Sequence, residues 1–373
     1  MNMENVVQRN FFRLLRSGAF ANVDDGVEPM SPWKWNVLYN ISIMHGVAAL
    51  VYDGIARYEG DFFMQPPTEL IAKWNKTATD IAGNNNKCNE SLAELFTILN
   101  HEQLRPILLR GQSLALLYDN PLSRTCGDVD IFFPYEAQAA KADNWAQANG
   151  KGAARTDNGT MAYQWKGIDA ENYRQAQRLT DRFLNRKLQG IINKETRCCD
   201  STYIYINDTK VEILPPTLNL LLILVRTARY ILNEGIRLKQ LVDLGMVLRK
   251  AGQHVDFIKL QKWIEQLRLK RMAHLIGTML VQFLKFDKDE IPFMSNQPND
   301  NTGRIRKDIF NLSANHNEDW FFTQGKNIFV RASNSGAMSW QIKHLARFFP
   351  YYPTEALTSF AHSFAHSLSH IEE

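Results

Sequence analysis

Residues 104–133 read LRPILLRGQSLALLYDNPLSRTCGDVDIFF, and the fold turns on how this stretch divides. An apolar run from Ile107 to Leu109 ends at Arg110-Gly111, a helix-like segment follows through Ser113, and a second apolar run carries Asp128-Val129-Asp130 into Ile131, Phe132 and Phe133. Residues two apart on a strand share a face, so Asp128 and Asp130 project together. Two carboxylates on an apolar strand are costly without positive charge between them, and an oxygen-preferring divalent cation supplies it. A bare D-x-D also arises in solvated loops. Here the context argues for a site: a glycine elbow upstream, Arg124 just before the pair, and a later apolar strand with one more acid.

That later strand is Lys210–Leu214, joined by an Asn207-Asp208 turn to Tyr203–Ile206 as a hairpin. Glu212 lies among its apolar residues, and the expectation is that Asp128, Asp130 and Glu212 converge on one surface of a sheet. Between the two acid-bearing segments the pattern is strand (Leu104–Leu109), helix (Ser113–Tyr118), strand (Gly127–Phe133), helix (Tyr135–Asn149) and strand (Met161–Trp165). The charged run Glu171–Asn193 reads as either a helix or an ordered excursion. Pro215-Pro216 ends the sheet.

On both flanks the spacing turns helical. Before the core it predicts helices over 4–18, Trp33–Tyr58 and Thr68–Asn100. After it, helices are expected over Asn219–Asn233, Ile236–Lys250, Phe257–Leu267, Arg271–Phe286 and Thr354–Leu368. The expected class is α+β: a small mixed-sheet core over 103–216, a helical subdomain over 1–102, and a second over 217–373 that closes over the site.

With 45% hydrophobic and 11% aromatic residues in 373, the chain can bury a sizeable core. Its formal charge of +4 is mild and its basic residues are dispersed, which argues against long nucleic acid or a membrane surface as partner. No apolar run approaches the roughly 18 residues of a membrane span, and the first 20 residues lack a leader's apolar segment. The four cysteines show no C-x-x-C spacing, so a reducing cytoplasmic setting is expected. His362, His366 and His370 recur at metal-binding intervals with no acid to complete a set, and the vicinal pair Cys198-Cys199 could be redox-active or incidental. Neither enters the chemistry.

Gly111-x-Ser113, Asp128-x-Asp130 and Glu212 on a separate strand resemble the nucleotidyltransferase superfamily of the DNA polymerase β type. Leu109-Arg110-Gly111, Tyr118, Arg124 and Gly127-Asp128-Val129-Asp130 resemble its bacterial branch known as the uncharacterised nucleotidyltransferase family. Trp35–Leu38, His45-Gly46-Val47 and Arg237–Asp243 are similar to the helices that flank that branch's core. Two departures stand out: Gln112 separates the glycine from Ser113, with a longer spacer to Asp128, and Ile213-Leu214 follow Glu212 where the branch often has histidine. The resemblance implies that Asp128, Asp130 and Glu212 are catalytic and hold Mg2+ (or Mn2+). It further implies a nucleotide site at Gly111 and Ser113, with Lys239 reaching a phosphate from the following helix; the guanidiniums of Arg110 and Arg124 suit phosphate oxygens. The expected reaction moves a nucleoside monophosphate from a nucleoside triphosphate such as ATP to an acceptor hydroxyl, releasing pyrophosphate. The acceptor is a protein, sugar or small molecule in preference to long nucleic acid. The alternative is a noncatalytic nucleotide- or phosphate-binding interaction protein using the same cleft.

Overall fold

A computed structural model describes residues 5–22, 26–58, 65–233, 235–294, 305, 309–310 and 342–369. Helix α1 (Val6–Phe20) starts where Asn5 accepts a hydrogen bond from the Gln8 amide, and α2 (Pro32–Met44) has proline at its first position. Helix α3 (Ala48–Ala56) crosses α1 backbone to backbone. A Cβ at Gly18 would lie 1.7 Å from the Leu50 carbonyl oxygen and one at Gly54 2.0 Å from that of Leu14, so the sequence provides glycine at both crossing points.

The 34-residue helix α4 (Thr68–His101) joins two apolar cores. Its first half sends Trp74 among the helices, with the indole donating to the Ala48 carbonyl at 2.8 Å. Its second half lays Cys88, Leu92, Leu95, Phe96 and Leu99 against the sheet.

The sheet has seven strands, with α5 (Gln112–Ala115) and α6 (Glu136–Asn149) among its connections. The strands are β1 (Ile107–Leu108), β2 (Val129–Phe132), β3 (Lys151–Arg155), β4 (Met161–Trp165), β5 (Ile168–Tyr173), β6 (Thr202–Ile206) and β7 (Thr209–Ile213). Their order is β3-β4-β5-β2-β1-β7-β6, with β2 parallel to β5, β1 parallel to β7 and the other neighbours antiparallel. The first expected strand is cut to two residues and the first expected core helix to four. The run that sequence left open divides: Glu171 belongs to β5, and α7 (Arg182–Cys198) starts only after Asp181, whose carboxylate accepts from the Phe183 and Leu184 amides. Asn207 and Asp208 both have positive φ (43° and 62°), as a two-residue hairpin turn requires.

Pleating assigns the two faces. Leu108, Val129, Ile131, Ala170 and Val211 pack with α4 and α6, while Ile107 and Phe132 join the core made by the outer helices. That second core is closed by α8 (Pro216–Asn233), α9 (Leu238–Met246), α10 (Phe257–Gln266) and α11 (Lys270–Leu284), and residues of α1 pack into it as well. The last helix, α12 (Pro353–Ser369), is tied down by Glu355, which accepts from the Thr180 and Asp181 amides at 2.8 and 2.9 Å. Among the described residues no helix is long and apolar enough to cross a membrane. His362 is exposed on α12 and His370 lies outside the described residues.

Candidate functional site

Burial of Val129 and Ile131 against α4 and α6 sets the register of β2 and turns Asp130, with Asp128 just ahead of the strand, toward the other face. Parallel pairing with β5 puts Glu171 directly opposite Asp130 and Ala170 opposite Val129, so Asp169 falls beside Asp128. Neighbouring strands lie about 4.8 Å apart, and four carboxylates therefore crowd one edge of the sheet face.

Arg110 closes part of this edge. Its Nε donates to Asp130 Oδ2 at 2.5 Å, and its guanidinium carbon lies 5.6 Å from the centre of the Tyr173 ring. The Tyr173 hydroxyl donates to Glu171 Oε2 at 2.6 Å, while Thr160 donates to the other oxygen of Glu171. Gly111, next to Arg110, has φ +70° and ψ −113°, a conformation closed to other residues, and its carbonyl accepts from the amides of Leu114 and Ala115. Ser113 is buried in α5 and makes no side-chain hydrogen bond among the described residues.

Asp128 stands at the mouth of the cleft, where solvent still reaches it. Partial burial, with Asp130, Asp169 and Glu171 nearby and only Arg110 opposing them, pushes its carboxyl up to about 6. A carboxyl raised in the folded state contributes stability that is present below the ordinary value near 4 and lost as pH rises through about 6. Asp128→Asn should therefore raise the unfolding free energy from urea titration at pH 7.5, by up to about 1 kcal/mol after solvent screening, with the gain disappearing below about pH 4. A difference that does not change with pH contradicts this crowding.

The other wall of the cleft is basic. Arg124 is buried and grips Asp243 of α9 with two bonds, Nε to Oδ1 at 2.7 Å and Nη2 to Oδ2 at 2.9 Å; Tyr118 also donates to Oδ1 at 2.7 Å. Its remaining nitrogen, Nη1, is buried with no hydrogen-bond partner. Thus Arg124 fixes α9 against the chain that leads into Asp128. Lys239 lies one turn before Asp243, its side chain beside Gly46, whose carbonyl accepts from Thr125 Oγ1 at 3.1 Å. Among the described residues the Lys239 ammonium has no hydrogen bond or ion pair, and burial together with Arg124 lowers it to about 8. His45 braces this wall: burial and Arg237 hold it neutral with a value of about 4, its Nε2 lying 2.9 Å from the Ile309 carbonyl oxygen, while its own carbonyl accepts from the Lys239 amide.

The structure brings Asp128, Asp130, Arg110 and Gly111 together, sets Lys239 beside Gly46 next to the segment that leads into Asp128, and leaves Glu212 outside the acid group. Glu212 faces Ile107 across β7–β1, and Ile107 faces Phe132, two residues beyond Asp130. Two strand spacings and two residues of rise separate the carboxylates by roughly 12 Å. Arg105 holds Glu212 with bonds from Nε at 2.9 Å and Nη2 at 2.5 Å while also donating to Ser201 Oγ and the Thr196 carbonyl. The acid that does stand beside Asp130 is Glu171. Its signal in the sequence is the alternation Ile168-Asp169-Ala170-Glu171 after Gly167, which reads as a strand with both acids on one face.

The donors of the acid group are all carboxylate oxygens, the chemistry of a hard cation. Among the described residues, no three His, Cys, Asp or Glu side chains come together closely enough to hold an ion unaided. Magnesium is ordinarily bound by one or two carboxylates with substrate phosphates and water completing the shell, and Asp128 with Asp130 fits that mode.

A family model described as uncharacterised nucleotidyltransferase matches residues 31–285. Among solved structures, an antigenic nucleotidyltransferase-like protein from Paracoccidioides brasiliensis is similar at 15% identity over 53% of this chain and 92% of that one, with a TM-score of 0.34. No curated protein matches.

Proposed function

The chain belongs to the uncharacterised nucleotidyltransferase family, and from that premise we propose that the cleft between β2–β5 and α9 binds a nucleoside triphosphate and transfers its nucleoside monophosphate to an acceptor hydroxyl. The observation that carries this reading is the charge division of the cleft: Asp128, Asp130 and Glu171 on the sheet, with the unpaired Lys239 on the helix side.

Asp128 and Asp130 would hold Mg2+ (or Mn2+), with Glu171 beside them; when bound, the ion neutralises charge on the reacting phosphate oxygens. Arg110 occupies Asp130 until substrate arrives, then passes its guanidinium to the triphosphate, where a planar fork suits two oxygens. Gly111 keeps side-chain bulk away from the turn ahead of α5, leaving backbone amides open to phosphate. Glu171, held by Tyr173 and Thr160, keeps its carboxylate oriented toward Asp130. Arg124 acts through its ion pair with Asp243, positioning α9 and with it Lys239. A protein hydroxyl, a sugar or a small molecule is the favoured acceptor, because the charge of +4 is spread over the chain.

The ion pair between Arg110 and Asp130 favours a second reading, since it neutralises one acid without any metal: a noncatalytic nucleotide- or phosphate-binding protein. Turnover separates the two. Incubation with each nucleoside triphosphate labelled at the α-phosphate, in magnesium and with candidate protein and sugar acceptors, should yield pyrophosphate and a labelled acceptor. The Asp128→Ala, Asp130→Ala double variant should yield neither. Equal turnover by that variant would sink the transferase reading; binding without turnover over every acceptor class favours the second.

A further inference from the structure

The two edges of the sheet differ. The β3 edge carries Lys151 and Arg155, a glycine at 152 with φ +67°, and a register shift against β4 between Lys151 and Ala154. Charge, glycine and irregular pairing are devices that keep an edge strand from recruiting another. The opposite edge, β6, has none of them. Thr202-Tyr203-Ile204-Tyr205-Ile206 holds no charge, proline or glycine, and it pairs with β7 without a shift. Its β-branched and aromatic residues favour pairing, yet Tyr203 and Tyr205 are 45% and 66% exposed.

The hairpin decides which backbone groups of β6 are free. Asn207 and Asp208 are the whole loop, so Ile206 and Thr209 make the hydrogen-bonded pair that closes it. By alternation the next bonded pairs are Ile204 with Val211 and Thr202 with Ile213. The N–H and C=O of Tyr203 and Tyr205 therefore point away from β7, and among the described residues they have no partner.

The strand is symmetric about Ile204, with a tyrosine on each side. A second copy laid antiparallel about a two-fold axis at Ile204 sets Tyr203 opposite the second copy's Tyr205, and Tyr205 opposite its Tyr203. Both are bonded pairs, each exchanging two hydrogen bonds, so every free backbone group of the tyrosines is used. The side chains match as well. Within one chain Lys210 faces Tyr205 and Glu212 faces Tyr203. Each row across the axis then reads Lys210, Tyr205, and the second copy's Tyr203 and Glu212: two rings side by side, with a cation at one end and an acid at the other. Lys210 Nζ is already 3.9 Å from the Tyr203 ring centre. On the other face Ile204, packed against the core beneath α4, meets its own copy and extends that core across the axis.

We infer that the free edge of β6 is a self-association surface, which pairs with β6 of a second copy about Ile204 and joins the two seven-stranded sheets into one. So short a contact stays below the roughly 1,200 Å2 of a standard interface, and the dimer forms and separates with concentration. Asp200 and Asp208, just beyond the two ends of the strand, come opposite one another across the axis. Their like charges oppose the pairing until salt screens them. The surface lies apart from the acid edge of β2 and stands whether or not the cleft transfers a nucleotide.

Sedimentation velocity on the full chain, from about 5 to about 500 µM, tests this together with hydrogen exchange. The chain should be half dimeric at roughly 100 µM, and raising salt from about 0.05 to about 0.5 M should lower that midpoint. Exchange of the Tyr203 and Tyr205 amides should slow as the dimer forms, with Lys151–Arg155 unaffected. Tyr205→Pro removes an outward N–H and leaves the β7 ladder intact; it should raise the midpoint about tenfold or more. Tyr203→Lys with Tyr205→Lys should do the same and serves if the proline variant does not fold. Ala154→Lys, on the β3 edge, should change nothing, and Asp208→Asn, which keeps a residue tolerant of positive φ, should lower the midpoint. A monomer at every concentration overturns the self-pairing and leaves the edge to a strand of another protein. A dimer that survives Tyr205→Pro, or forms without slowing exchange at Tyr203 and Tyr205, puts the interface elsewhere and overturns it equally.

Discussion

Arg124→Ala is expected to destabilise the protein by about 3–5 kcal/mol, the cost of stranding a buried carboxylate. Asp243 is buried, and without Arg124 its neighbouring hydrogen-bond donor is the Tyr118 hydroxyl. The Lys239 ammonium, one turn away, makes no bond to it. Asp243→Ala should cost a comparable amount by leaving a buried guanidinium. Removing both should cost much less than the sum, because neither charge is then left alone. Urea unfolding of the four proteins measures this directly, and a loss under about 1 kcal/mol for Arg124→Ala would show the pair to be unimportant. Arg124→Lys should recover little, since a single ammonium cannot make both contacts. The pair also joins sheet to helix: it holds α9 against the loop before Asp128, and so places Lys239. Folded variants of it should therefore bind the nucleoside triphosphate weakly although Arg124 itself does not touch it.

The second large effect separates two glutamates. Glu171→Gln should lower turnover about a hundred- to a thousandfold while changing stability little, because the amide keeps the shape and one acceptor oxygen for the Tyr173 or Thr160 hydroxyl. Glu212→Gln should do the reverse. It leaves the Arg105 guanidinium, which is partly buried, facing a neutral amide and should cost on the order of 2 kcal/mol, with turnover retained within about threefold as expected for a group some 12 Å away. Pyrophosphate release and urea unfolding on the two variants measure both quantities. Loss of turnover in Glu212→Gln with Glu171→Gln unaffected would restore the third acid to β7.

The residues that sequence could read are those whose placement is local. Val129, Ile131 and Phe133 alternate with Asp130 and Phe132, so β2 and its shared acid face follow from pleating alone; Asn207-Asp208 fixes the β6–β7 hairpin through its positive φ values. The helices around the core were equally plain from apolar spacing. What escaped depends on distant pairing. Glu171 meets Asp130 only because β5 runs parallel to β2 at one register, and its strand opens a charged run that local periodicity left undivided. Glu212 does face the predicted side of the sheet, but β1 intervenes and Arg105, just before Pro106, takes its charge. Position near the acids suggests a phosphate grip for Arg124, whereas its partner Asp243 lies 119 residues along the chain. Asp243, one turn from Lys239, is taken by Arg124, so among the described residues the lysine has no ion pair.

The most direct test of the central claim is calorimetric titration of ATP into the wild type with and without magnesium, repeated on the Asp128→Ala, Asp130→Ala double variant. The expected result is tight binding with magnesium, much weaker binding without it, and loss of the magnesium effect in the double variant. Binding that is indifferent to magnesium in the wild type, or equally strengthened by it in the double variant, would contradict a metal-nucleotide site at the acid edge of β2.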